Sequence, residues 1–120
     1  MSELLLFKTL WGFSGSLAHA QNLAAAQGFD GLELNLHHPC LAALAAQQVQ
    51  EALSQAQQRL IVEIVTGGDY VPALAQGPAQ QVQELREQMQ RALELQPVRI
   101  SVIAGSDAWG PRQQREFWDE

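Results

Sequence analysis

The chain has 120 residues, of which 47% are hydrophobic and 17% charged, which predicts one globular domain, too short for two ordinary ones. Seven basic residues against 13 acidic ones, a formal net charge of -6, argue against a nucleic-acid surface, which needs clustered lysine and arginine. A single cysteine, Cys40, excludes an internal disulfide and an all-cysteine metal site, and no apolar run approaches the ~20 residues needed to cross a bilayer.

The first apolar run, Leu4–Trp11, predicts a strand; the N-terminal stretch Met1–Trp11 lacks a basic leader and is interrupted by Glu3 and Lys8, so it is a poor signal peptide, and a cytoplasmic protein is expected. A helix follows, with Ser16 as its N-cap and Gly28 just past its C-terminus. The second strand, Leu32–His37, alternates: Leu32, Leu34 and Leu36 suit a helix-covered face, leaving Glu33, Asn35 and His37 on the other. Pro39 opens a second helix expected to run to near Gln58. The third strand, Leu60–Thr66, is interrupted by Glu63. A third helix places Val82, Leu85, Met89 and Leu93 on one stripe and stops before Pro97. The fourth strand is Val98–Ala104, and a fourth helix starts around Pro111. Apart from the Ala/Gln bias of the helices there is no low-complexity segment, and no linker.

Strand starts fall roughly 30 to 40 residues apart, the length of one βα unit. Strict alternation of strand and helix implies a parallel sheet with right-handed crossovers. The expected fold is α/β: a parallel (βα)4 half of a TIM barrel with strand order 1-2-3-4. A small doubly wound, flavodoxin-like domain is the alternative, with order 2-1-3-4 and an anion bound at the strand ends.

Four segments carry a resemblance: Lys8–Ser16 (KTLWGFSGS), Ala24–Leu34 (AAAQGFDGLEL), Val62–Pro72 (VEIVTGGDYVP) and Ile100–Trp109 (ISVIAGSDAW). Together they resemble successive landmarks in the N-terminal half of the sugar-phosphate isomerase/epimerase family, the xylose-isomerase-like TIM barrels. The resemblance implies metal-dependent isomerisation or epimerisation of a sugar or sugar phosphate, a base abstracting a proton next to a carbonyl while Mn²⁺ or Mg²⁺ steadies the enediolate. Many relatives end the fourth strand with a histidine; Ile103 precedes Ala-Gly-Ser-Asp here instead. The family's metal ligands come mainly from strands five to eight, so the resemblance assigns no metal ligand to this chain and implies an activity that needs a second half.

The candidate site residues each have a second reading. Glu33 and Glu63, inside strands, are candidates to hold sugar hydroxyls or to move a proton; equally, they are inward carboxylates in structural ion pairs, with Lys8 and Arg99 as partners. His37 is a candidate substrate contact at the mouth, or with His38 part of a helix-capping, solvent-facing pair. Thr66 and Gly67, in the Thr-Gly-Gly-Asp-Tyr loop, could bring backbone amides to a ligand, or Asp69 could close an ordinary turn. Asp107 fits either a substrate contact or a turn, while Trp11 and Trp109 fit a wall for a sugar ring or plain packing. Cys40, with no placed base, reads as a small core residue.

A lone half-barrel leaves two open parallel edges and an uncovered interior, with Ile103 and Val65 expected to be exposed. The chain is therefore expected to pair with its own copy or with a complementing second half-barrel, and to engage neither nucleic acid nor membrane. A non-enzymatic binding or assembly module on the same scaffold is the rival.

Overall fold

The computed structural model describes residues 4–65, 77–103 and 110–119. Strand and helix alternate throughout: β1 (Phe7–Thr9), α1 (Leu17–Ala26), β2 (Gly31–Asn35), α2 (Ala46–Gln55), β3 (Arg59–Val65), α3 (Pro78–Glu94), β4 (Arg99–Ile103) and α4 (Pro111–Asp119). The four strands form one sheet, all parallel, in the order β1-β2-β3-β4. This is the order of half a TIM barrel, and the doubly wound order 2-1-3-4 is excluded.

Register decides the two faces. Leu32 is in register with Leu60, and Leu34 with Val62, so these residues share a face. Together with Ile64 they are buried in a core with Leu17, Ala20 and Ala24 of α1, Val49 and Leu53 of α2, and Ala92 of α3. Thr9, Glu33, Asn35, Ile61, Glu63 and Ser101 alternate onto the opposite face. Lys8 falls in register with Leu32, which puts it on the helix side with its ammonium 5.5 Å from the Phe29 ring centroid. It cannot partner an inward glutamate, because the two-residue period of a strand sends neighbouring side chains to opposite faces. Arg99 does share the glutamates' face, beside Ile61 and in line with Glu33.

The helix ends follow local chemistry. The Ser16 hydroxyl accepts from the His19 backbone N–H at 3.1 Å, capping α1. Gly28, at φ +80°, closes it: the Gly28 N–H donates to Ala25 and the Phe29 N–H to Ala24. Gln57 repeats that motif after α2 at φ +54°, and Gln96 takes a left-handed conformation after α3 at φ +53°.

The expected helices are corrected at two places. Pro39 starts only a 3-10 turn, Pro39–Leu41; Ala43 then adopts φ +65°, and α2 begins at Ala46 and ends at Gln55 rather than near Gln58. The chain leaves helical geometry at Ala42, which is extended at ψ 140°, turns left-handed at Ala43 and is extended again at Ala45 before α2 starts. In α3, Leu93 is 60% exposed, whereas Gln81, Gln88 and Ala92 are buried. At about 100° per residue the buried sector centres on Leu85 and Ala92, which leaves Leu93 past its rim.

Long neutral amides stitch the outer layer. Gln21 Nε2 donates to the Ala52 carbonyl, joining α1 to α2, and Gln58 Nε2 donates to the Gln21 carbonyl, joining the α2–β3 connection to α1, each at 2.9 Å. Gln50 Nε2 donates to the Glu94 carbonyl, joining α2 to α3. The Ala/Gln bias thus has a structural use: small residues let helices approach the sheet, and glutamines satisfy carbonyls across the gaps. α4 packs on α3 through Phe117 against Val82 and Leu85.

The inner face is partly covered. Val65 is 4% exposed, against expectation, whereas Ile103 on β4 is 49% exposed as expected. Among the described residues, β3 is an interior strand with neighbours on both sides, whereas β4 pairs with β3 alone.

Candidate functional site

A cleft of about 380 Å³ opens at the C-terminal ends of β1, β2 and β3. This is the end of a parallel α/β sheet where binding sites are built, because the loops leaving the strands converge there. Glu33 and Asn35 enter it from β2, and Glu63 and Val65 from β3; Asn35 and Glu63 stand side by side in register. Thr9 lies one pleat lower on β1, opposite Glu33.

The β1 loop forms one wall. The Phe13 N–H donates to the Leu10 carbonyl at 3.0 Å, with Gly12 at φ +73°, a tight turn whose third position requires a left-handed residue. Trp11 projects from its corner, 65% exposed, and lines the cleft with Phe13.

The β2 loop forms the second wall. The Asn35 side-chain oxygen accepts the His37 backbone N–H at 2.8 Å, and the His38 N–H returns to the Asn35 carbonyl at 2.9 Å. This Asx-type turn leaves the His37 imidazole exposed on the lining and turns His38 back into the protein. His38 Nδ1 accepts the Cys40 backbone N–H at 3.0 Å, capping the 3-10 turn, and that acceptor role assigns the ring proton to Nε2, 3.3 Å from the Leu10 carbonyl. The ring also stacks on Phe13, centroids 6.3 Å apart. His38 is therefore the capping residue, and the two loops are joined through it.

Cys40 is buried, and desolvation pushes its thiol above the ordinary range, partly offset by a backbone hydrogen bond. That is the reverse of the activation a nucleophilic cysteine needs.

Of the residues singled out in sequence, Trp11, Glu33, His37 and Glu63 line one cleft. Thr66, Gly67, Asp107 and Trp109 lie outside the described residues. Sequence reasoning missed Thr9 and Phe13 as lining. Thr9 was legible, since it sits two residues before Trp11 in the strand expected over Leu4–Trp11; Phe13 is placed only by the turn at Gly12. Among the described residues, no group of three or more His, Cys, Asp or Glu side chains is arranged to hold a metal ion. Glu33 and Glu63 are offset by one pleat, which separates the only two carboxylates of the described lining.

Fold and cleft together define the class: a parallel α/β protein with a half-TIM-barrel sheet and a carboxylate-lined cleft at its strand ends. No family model, no curated protein and no solved structure matches the chain.

Proposed function

We propose that this chain is half of a sugar-binding barrel mouth of the sugar isomerase/epimerase class. The carrying observation is that one cleft, at the C-terminal ends of a 1-2-3-4 parallel sheet, brings Glu33, Glu63, Asn35, His37 and Trp11 together. Carboxylates and an amide accept hydrogen bonds from sugar hydroxyls, and an exposed indole offers an apolar face to a ring. Glu33 and Glu63 are the candidates to move a proton next to a carbonyl. The resemblance places the metal ligands mainly on strands five to eight, so the role proposed for this chain is binding and positioning, with turnover proposed to need a complementing half. The open β4 edge, with Val102 and Ile103 exposed along it and Trp118 exposed on α4, supports closure by another copy or another half-barrel.

The test is calorimetric titration of the purified chain with pentoses and hexoses, alongside ketose–aldose exchange assays with and without Mn²⁺. Saturable sugar binding that weakens at least fivefold in Trp11→Ala and Glu63→Gln is expected. Absence of binding to every sugar would overturn the reading. The assembly rival is separated by light scattering and edge variants: in that case Ile103→Lys dissociates an oligomer while no sugar binds.

A further inference from the structure

The sugar-site reading leaves the identity of the complementing half open, and the chain's own two sheet edges point to it. Thr9, Glu33, Ile61 and Arg99 lie in line across β1, β2, β3 and β4. In a closed eight-stranded parallel barrel such a line does not return to its starting residue, because strand tilt displaces it by eight residues per circuit. Two identical halves share that displacement, four residues each. With the right-handed tilt of barrel strands the line descends in chain order. The residue beyond Arg99 is therefore Leu5 of a second copy, four below Thr9. Leu5–Thr9 then lies opposite Arg99–Ile103, and all five residues of β4 gain a neighbour.

The side chains that this shift brings together are ones the single chain leaves uncovered. The two-residue period puts Leu4 and Leu6 with Lys8 on the helix side of β1. The shift sets Leu4 against Val98, Leu6 against Ile100 and Lys8 against Val102. Leu4 is 82% exposed, Leu6 50%, Val98 55% and Val102 39%, although all four are apolar. Apolar side chains uncovered along a sheet edge mark a surface for association. Charge agrees: positions 4–9 and 98–103 hold Lys8 and Arg99 and no carboxylate, on a chain of net charge -6. In the shifted pairing Lys8 meets Val102 and Arg99 meets Leu5, so the two cations do not face each other. Copies therefore meet along strips free of the acidic groups that would repel them. We infer that the second half-barrel is a second copy of this chain, β4 of each pairing in parallel with β1 of the other about a twofold axis. One mouth then carries Glu33, Asn35, His37, Glu63 and Trp11 from both copies, and the site is complete only in the dimer. The shared mouth rests on the sugar-site reading; the pairing does not.

Light scattering on the full chain at micromolar concentration should give twice the 13.2 kDa mass of one chain. In a Cys40→Ala background, a short bismaleimide should join Thr9→Cys/Ile103→Cys chains into covalent dimers, because the two positions lie opposite across the seam. Thr9→Cys/Arg99→Cys, offset by four residues or about 13 Å along the strands, should stay unjoined. Leu6→Glu, outside the cleft lining and with its fold checked by circular dichroism, should be monomeric and bind pentoses and hexoses at least tenfold more weakly. A monomeric parent, or crosslinking in the offset pair alone, overturns the pairing and leaves the sugar-site reading to its own titration. A monomeric Leu6→Glu that binds sugar as tightly as the parent shows that the second copy adds nothing to the site, and overturns the shared mouth. A dimer with the expected crosslink that binds no sugar upholds the pairing and fells the sugar-site reading, with the shared mouth.

Discussion

His38 joins the two loops of the cleft: its Nε2 lies 3.3 Å from the Leu10 carbonyl, while Nδ1 accepts the Cys40 N–H. Leu10 is itself fully buried, and its N–H donates to the Glu33 carbonyl, continuing the β1–β2 ladder. The imidazole therefore fixes the loop that carries Trp11 to the loop that carries His37. Replacing His38 by Ala removes both hydrogen bonds and the stack on Phe13, and is expected to destabilise by about 1–3 kcal/mol. Urea denaturation measures the loss. A variant as stable as the parent would show that the bridge carries no weight.

Gly31 is held by a close approach. A Cβ there would lie 2.1 Å from the Arg59 carbonyl oxygen and 2.9 Å from the Phe7 ring. The backbone oxygen cannot yield without opening the β2–β3 pairing. Gly31→Ala is therefore expected to destabilise by about 2–3 kcal/mol, the range of overpacking, with a matching fall in the thermal midpoint by circular dichroism. Gly77→Ala, where a Cβ meets nothing within 4 Å, is the control and should change little.

Gln57 and Gln96 occupy left-handed positions after α2 and α3 where glycine is the usual residue. Relief of that conformational penalty outweighs the added freedom of the unfolded chain, so Gln57→Gly and Gln96→Gly should each stabilise by about 0.5–1 kcal/mol. The opposite change at Gly28, to Ala, should destabilise by about 1 kcal/mol. All three are read from denaturant midpoints. Two glutamine variants less stable than the parent would overturn the argument.

Burial favours the neutral thiol of Cys40, raising it from an ordinary value of 9.0. The sign follows: the associated stability is fully present below about pH 9 and is lost as pH rises through the folded value, because only the unfolded chain ionises freely. Native protein at pH 8 should react with a thiol reagent far more slowly than protein unfolded in urea. Equal rates would place Cys40 at the surface. Stability measured between pH 8 and pH 10.5 should fall, and Cys40→Ala should remove this thiol's contribution to the fall.

Much of the scaffold was legible before any coordinates. Ser16 and Gly28 mark both ends of α1 because capping is local chemistry, set by residues a few positions apart. The alternation around Glu33 and Asn35 predicts their face because a strand has a fixed period of two. The same rule cannot by itself place Lys8, because which face of β1 meets the leucines is set by its pairing register with β2, a long-range relation. Ala43 and Leu93 failed for a related reason: a left-handed alanine and the rotation of α3 on the sheet are settled by packing, not by propensity.

The sequence alone determined four βα units, a parallel sheet, two inward glutamates and a chain whose acidic balance leaves no basic patch. These are matters of period, capping and composition, which short stretches encode by themselves. Only the tertiary structure decided that Glu33, Glu63, His37 and Trp11 share one cleft, that His38 faces inward while its neighbour faces out, and that Lys8 is no partner for either glutamate. Those relations depend on the register between strands far apart in the chain. That register is set by how the leucine face of the sheet buries itself against α1, α2 and α3.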